Sequence, residues 1–316
     1  MPEIPIAVID GTAPLLVLIA VVVALLLVDL MVFARGRHPE FGEAVRWSIG
    51  WFVLSLLVAI PMYMLGGRDA AVEFTTVYLI ERTLSLDNLF VFLLLFSYFG
   101  VPVQDRTRLL FWGIVLALIM RGIAIVIGVE LLDRFEWMIY ALGLMLIALA
   151  WRMLRSGAEH QDPHNSIVVR GLERVLPITE QQDRGRFFLT IDGKRMATPA
   201  LLAFVSLGMA DIAFAIDSIP AAFAITDDTF VIWAANAFAL MGLRALFVLV
   251  EGLIERFRYM DETLAIVLGL VGVKLLISHW VHVSAVASLG IVVAAFTIGI
   301  WASIRADRRT ASTSGS

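Results

Sequence analysis

The stretch ERTLSLDNLF, residues 81–90, lies in the middle of an apolar run that extends over residues 72–99. Charged and strongly polar side chains inside such a run cost several kcal/mol in a membrane unless partners offset the cost, and they are candidates for function by default. Four residues of the stretch are of this kind: Glu81, Arg82, Asp87 and Asn88.

The composition predicts a membrane protein. Of 316 residues, 60% are hydrophobic, whereas a soluble domain is nearer half apolar. There is no cysteine, which excludes disulfides, thiolate metal sites and iron–sulfur clusters. The chain also lacks a glycine-rich phosphate loop ending in Gly-Lys-Ser/Thr, so ATP-driven transport by this chain is not expected.

Long apolar segments predict an all-α, polytopic membrane protein, because a helix needs about 20 apolar residues to cross a bilayer. Basic residues cluster after the first, third, fifth, seventh and ninth segments, which places the N-terminus outside and the C-terminus in the cytoplasm. The nine predicted spans lie near residues 14–34, 44–65, 72–99, 109–128, 137–154, 199–225, 230–254, 262–279 and 283–304.

One long loop separates the spans into groups. Within it, RFFLTIDGKRMATP predicts a hairpin that turns at Asp192-Gly193. Thr198 and Pro199 then predict the N-cap and first residue of the sixth span. The predicted parts are spans 1 and 2 (1–71), a first three-helix unit (72–154), a cytoplasmic loop (155–198), a second three-helix unit (199–279), and the ninth span with a cytoplasmic tail (280–316).

The second unit repeats the first. The stretch MADIAFAIDSIPAAFAIT, residues 209–226, carries Asp211 and Asp217 six residues apart, the spacing of Glu81 and Asp87. Corresponding acids are offset by 130 residues. Because each unit has an odd number of spans, the two units would have inverted topology, a design in which the substrate site lies near the midplane on interrupted helices.

The acidic pairs predict a site for a hard cation. Positions six apart on a helix differ by about 240° in direction and about 9 Å in height, so either the helix unwinds between the two acids or they serve two sub-sites. Pro220 would free the carbonyl of Ile216 as a further ligand. Oxygen ligands suit Mg²⁺, Ca²⁺ and Mn²⁺. The predicted ligands are Glu81, Asp87, Asn88, Asp211, Asp217 and Ser218, with Ser85 as a further oxygen donor.

The main alternative for the acids is a buried ion network without substrate, formed with Arg82, Arg121, Arg244 and Lys274. We expect the arginines to fix helix positions or neutralise carboxylates rather than to touch a cation. The remaining polar residues are assigned as follows: Glu251 and Asn236 are secondary candidates, Asp29 contacts water, His160, Asp162 and His164 belong to a solvated loop, and His279 and His282 are interfacial.

At these motifs the sequence resembles the TerC family of integral membrane proteins, which is named for tellurium resistance and includes the Alx-type manganese exporters. The resemblance rests on ERTLSLDNLFVF, MADIAFAIDSIPAAFAIT and RFFLTIDGKRMATP, and it covers residues 14–304. It implies a protein of the bacterial inner membrane that exports Mn²⁺. It also implies that the metal-site acids are Glu81, Asp87, Asp211 and Asp217.

The leading functional hypothesis is a secondary transporter that exports Mn²⁺ from the cytoplasm, with proton entry as the coupling and Ca²⁺ or Mg²⁺ left open as substrates. The alternative is a partner module that hands metal to exported enzymes or holds a stress-response complex together through loop 155–198. An enzyme is not expected, because no nucleophile and base accompany the acids. The expected partners are the lipid bilayer, the divalent ion and protons, without cofactor or nucleic acid.

Overall fold

The structure is a computed structural model, and it describes residues 12–33, 41–127, 137–156, 179, 181, 185–191, 193–254, 259–277, 280–281, 283 and 285–313. The helices are α1 (Thr12–Phe33), α2 (Phe41–Leu57), α3 (Ala59–Tyr98), α4 (Val103–Ile127), α5 (Trp137–Ser156), α6 (Pro199–Phe223), α7 (Thr229–Leu240), α8 (Leu243–Ile254), α9 (Met260–Ile277) and α10 (Ala285–Thr313). The strands are β1 (Phe188–Ile191) and β2 (Lys194–Ala197).

These helices confirm an all-α polytopic membrane protein. Each predicted span coincides with one helix or with two consecutive ones. Among the described residues, five segments are long and apolar enough to cross a membrane, and two shorter apolar helices accompany them. The count of nine spans and the orientation of the termini stay predictions. The five segments are Ala13–Met31, Phe41–Tyr98, Val103–Val126, Pro199–Phe223 and Thr229–Gly252.

The hairpin before the sixth span is confirmed. β1 and β2 are antiparallel, with Ile191 opposite Lys194, so the chain reverses between these two residues as predicted. The predicted N-cap is also confirmed, because the Thr198 side chain accepts a hydrogen bond from the backbone N–H of Leu201 and Pro199 begins α6. The same hydroxyl donates to the carbonyl of Arg186 at 2.6 Å, which ties the hairpin to the start of α6.

The helices that carry the acidic pairs are continuous, so of the two alternatives for each pair, unwinding between the acids is wrong and two sub-sites remain. α3 has a single non-helical residue, Gly67, well before Glu81. α6 runs without interruption past Pro220 to Phe223. The reason is positional: Pro220 lies in the last turn of α6, where the loss of one backbone hydrogen bond matters little.

The interruption lies in the seventh span instead. Met241 has extended backbone angles (φ −63°, ψ 140°), and Gly242 has φ +74°. These two residues end α7 and turn the chain before α8 begins at Leu243. The positive φ favours glycine, because a side chain there would meet the neighbouring carbonyl.

The packing agrees with an inverted repeat, which stays a prediction. In that repeat α3 corresponds to α6, α4 to α7 with α8, and α5 to α9. The contact of α3 with α7 has its counterpart in the contact of α6 with α4. The contact of α5 with α6 likewise has its counterpart in that of α9 with α3, and α5 packs directly against α9.

Candidate metal centre

The centre of the site is the guanidinium of Arg121 on α4, which is buried and 3% exposed. Its Nη1 donates to Oε2 of Glu81 on α3 at 2.8 Å. Its Nη2 and Nε donate to the two carboxylate oxygens of Asp211 on α6 at 3.1 and 3.3 Å. Nη1 also donates to Oδ1 of Asn236 on α7 at 2.6 Å. One arginine therefore joins the first acids of both predicted pairs.

Asn88 completes the surroundings of this arginine. With its amide oriented to satisfy both groups, its oxygen accepts from Nη2 of Arg121 at 3.3 Å and its nitrogen donates to the carbonyl of Leu84 at 3.1 Å. A guanidinium has five N–H donors, and here each one has an acceptor. All of these acceptors are oxygen atoms of carboxylates or amides, so Arg121 occupies an oxygen-lined position.

Several oxygen and nitrogen atoms around Arg121 are buried without a hydrogen-bond partner in the structure. They are Oε1 of Glu81, Oγ of Ser218 and Nδ2 of Asn236. Buried polar atoms are satisfied in most native structures, and each exception calls for an explanation such as a bound ion or water. These atoms are available to a water molecule, and the two oxygen atoms among them are also available to an ion.

A small cavity lies beside the guanidinium. Its volume of about 10 Å³ admits one water molecule or ion. Residues offset by the repeat distance of 130 meet there, because Leu84 and Phe214 both line it, as do Asn88 and Ser218. Lys274 of α9 is another lining residue. The predicted correspondence of ERTLSLDNLF with DIAFAIDSIP therefore agrees with the placement of these side chains.

The second acids of the two pairs, Asp87 and Asp217, have helical backbones directly before Asn88 and Ser218. Their side chains lie outside the described part of the structure. Among the side chains that are described, no group of three or more histidine, aspartate or glutamate residues gathers as a metal-ligand set. The assignment of all six predicted ligands stays a prediction, and Ser85 bonds within its own helix to the carbonyl of Arg82.

Arg82 fixes a helix position, as expected for the arginines, but the sequence did not indicate which helix it holds. Its Nη1 donates to the carbonyls of Ala239 and Met241 at 2.8 and 2.9 Å. These carbonyls belong to the end of α7, where the chain break leaves them without helical N–H partners. Arg82 therefore stabilises the interruption of the seventh span, one residue away from Glu81.

We expect Arg82→Met to lower the free energy of unfolding by about 2 kcal/mol, because two buried carbonyls lose a charged donor. Arg82→Lys provides the control, since it restores one cationic donor but not the fork of a guanidinium. Thermal unfolding of the purified proteins in detergent measures both variants. An Arg82→Met variant as stable as the parent contradicts this role for Arg82.

The buried Arg244 and the half-buried Arg106 form two further ion pairs. Nη1 of Arg244 donates to Oδ2 of Asp29 at 2.9 Å, so the expectation that Asp29 contacts water is wrong; it is 4% exposed and paired. Nη1 of Arg106 donates to Oε1 of Glu251 at 2.9 Å, which gives Glu251 a partner outside the site. The predicted histidine candidates lie outside the described residues: His160, His164, His279 and His282, with Asp162.

Comparison with known proteins agrees on one family. The model of the integral membrane protein TerC family matches residues 66–311. The membrane protein STKORF319 of Myxococcus xanthus, which is named as uncharacterized, is 38% identical over 291 residues, which cover 92% of this chain and 91% of that one. "Putative membrane-bound redox modulator Alx" of Escherichia coli strain K12 is 37% identical, with 92% and 95% covered. No solved structure matches this chain.

Proposed function

The chain belongs to the TerC family of integral membrane proteins, and on that premise we propose that it is a secondary transporter that exports divalent cations, Mn²⁺ first among them. The cation would be the substrate, which binds from the cytoplasm and is then released outside. The proposed ligands are the oxygen atoms of the two acidic motifs, Glu81 with Asp87 and Asp211 with Asp217.

The observation that carries this proposal is the position of Glu81 and Asp211. They come from different helices, 130 residues apart in the chain, and converge on a single guanidinium. Oε1 of Glu81 and Oγ of Ser218 remain buried and unsatisfied nearby. Carboxylate and hydroxyl oxygens without partners are what a hard divalent cation requires.

Charge decides the kind of substrate. The two motifs contain four acids, Glu81, Asp87, Asp211 and Asp217. In the described part of the structure, Arg121 pairs with two of them and contributes one positive charge, and Lys274 lines the adjoining cavity, so the acids outnumber these cations. A site of this charge favours a cation and repels an oxyanion such as tellurite. The family's association with tellurium therefore does not make tellurite the preferred substrate.

Export of a dication needs a coupled driving force. Moving two charges outward against an inside-negative potential costs about 4.6 kcal/mol per 100 mV. Proton entry is the coupling we propose, because carboxylates that release the metal ion at the outer side can accept protons there and give them up in the cytoplasm. Purified protein that moves Mn²⁺ at the same rate with and without a pH gradient would contradict the coupling but not the export.

The name of the Escherichia coli relative refers to redox modulation. This chain contains no cysteine, so it has no thiol that could exchange with disulfides. An influence on cellular redox state would then be indirect, through the Mn²⁺ available to other proteins. This interpretation agrees with the name and requires no electron transfer by the chain.

Cellular manganese tests the proposal directly. We expect cells that express the parent to accumulate less Mn²⁺ than cells without it, and cells with Asp87→Asn or Asp217→Asn to accumulate as much as cells without it. Asp69→Asn is the matched control, because Asp69 is an exposed acid on the same helix as Asp87. If either site variant, expressed at the parent's level, still lowered cellular Mn²⁺ like the parent, the assignment of the site would be wrong.

A further inference from the structure

The carboxylates proposed to bind the exported ion are already bound by a cation of the protein itself. Arg121 uses Oε2 of Glu81 and both oxygens of Asp211. Of the four carboxylate oxygens of these two residues, only Oε1 of Glu81 lacks a partner. A divalent ion that takes Asp211 as ligand therefore meets a guanidinium within hydrogen-bond distance of the same oxygens.

The two cations repel one another at such a distance, and the surrounding protein screens them weakly. Both cations also bind the same partner, since a guanidinium and a hard metal ion each prefer carboxylate oxygen. Glu81 and Asp211 can therefore fully bind either the metal ion or Arg121. These two arrangements of the site compete with each other.

Arg121 also has acceptors that are not carboxylates. Its Nη1 and Nη2 already contact the neutral amide oxygens of Asn236 and Asn88. The small cavity that Asn88 and Ser218 line is next to the guanidinium. These two amides would remain as acceptors for Arg121 when the carboxylates bind the ion instead.

We infer that Arg121 is an internal competitor of the exported cation: the ion displaces its guanidinium from Glu81 and Asp211 on loading, and the returning guanidinium promotes release of the ion. The inference rests on the proposed function, because it concerns the same two carboxylates. Arg121 then sets how tightly the site binds its substrate. When the ion has left, Arg121 compensates the negative charge of the two buried acids.

The test is Mn²⁺ binding and transport by the purified Arg121→Gln variant. Its Kd for Mn²⁺ should fall about tenfold, within the usual range of coupling between two binding events. In liposomes the KM should fall and the maximal rate should also fall, because no cation remains to expel the ion. Arg121→Lys keeps a positive charge but not the fork of a guanidinium, so its Kd should fall less than that of Arg121→Gln.

If Arg121 only stabilised the fold, Mn²⁺ would not restore the stability of Arg121→Gln. Thermal unfolding in detergent distinguishes the two cases. Without Mn²⁺, Arg121→Gln should unfold at a lower temperature than the parent, since two buried acids lose their partner. Added Mn²⁺ should raise its unfolding temperature more than that of the parent. Arg244→Gln is the matched control: Arg244 is equally buried and pairs with Asp29, and Mn²⁺ should not rescue its loss of stability.

The possible results separate the inference from the proposed function. If the parent neither binds nor moves Mn²⁺, Ca²⁺ or Mg²⁺, the proposed function fails, and the competition fails with it. If the parent transports Mn²⁺ but Arg121→Gln binds it no more tightly, the competition alone is wrong. An Arg121→Gln protein that fails to fold both with and without Mn²⁺ also contradicts the inference, because the ion then cannot replace the guanidinium.

Discussion

Replacing Glu81 by glutamine is expected to reduce Mn²⁺ export at least about tenfold at low Mn²⁺ concentration. The substitution keeps the size of a side chain that is 1% exposed and removes its charge. One interaction of a buried ionised group contributes roughly 1.5–3 kcal/mol, and each 1.4 kcal/mol corresponds to about a factor of ten in affinity. The initial rate of Mn²⁺ uptake into everted membrane vesicles measures the effect.

Glu73→Gln is the matched control for this substitution. Glu73 lies two turns earlier on the same helix, where it accepts a hydrogen bond from the hydroxyl of Thr226 at 2.6 Å. It is therefore a polar, hydrogen-bonded acid of α3 without contact to Arg121. Export by Glu73→Gln should stay within about twofold of the parent rate. Equal losses in the two variants would show that any acid of α3 matters, and the site assignment would lose its support.

Replacing Gly242 by valine is expected to lower the free energy of unfolding by about 4 kcal/mol and to reduce export with it. A side chain at φ +74° is strained by roughly 1–2 kcal/mol. Its Cβ would also lie 2.6 Å from Cβ of Trp51 on α2, and forced overpacking adds about 1–3 kcal/mol. The substitution acts at the turn between α7 and α8, where Arg82 holds the free carbonyls.

Gly67→Val separates the two contributions. Gly67 has φ +75°, and a Cβ at this position would meet nothing within 4 Å. Its loss of stability should therefore reflect backbone strain alone, about 1–3 kcal/mol, because its ψ of −164° lies in a region essentially restricted to glycine. Denaturation curves of both variants in detergent supply the comparison. A Gly242→Val protein that is no less stable than Gly67→Val would show that Trp51 does not limit the space for a side chain at residue 242.

The membrane explains why the helices could be predicted from the sequence. Apolar length and basic flanking residues give the spans without any knowledge of packing, and each predicted span coincides with described helix. The hairpin at residues 192–193 and the cap at Thr198 are also local features, since their signals lie within a few residues of the structure they form. The acidic motifs likewise stand out because ionisable residues are costly in an apolar run.

The contacts of the arginines could not be predicted, because their partners are distant in the chain. Arg121 binds residues 40, 90 and 115 positions away, and spacing does not reveal such contacts. Proline is the strongest local signal for a helix break, yet α6 continues past Pro220. The break instead follows from Gly242 and from the ability of Arg82 to bind the free carbonyls, and only the glycine could have been noticed in the sequence.

Transport by the purified protein is the most direct test of the central claim that the two acidic motifs bind and move a divalent cation. Parent protein, Asp87→Asn, Asp217→Asn and the control Asp69→Asn would be placed in liposomes that contain a Mn²⁺-sensitive dye, with a pH gradient across the bilayer. The account predicts Mn²⁺ flux for the parent and the control, and flux at the level of empty liposomes for the two site variants. Flux at the parent rate in either site variant, or no flux of any divalent cation in the parent, would contradict it.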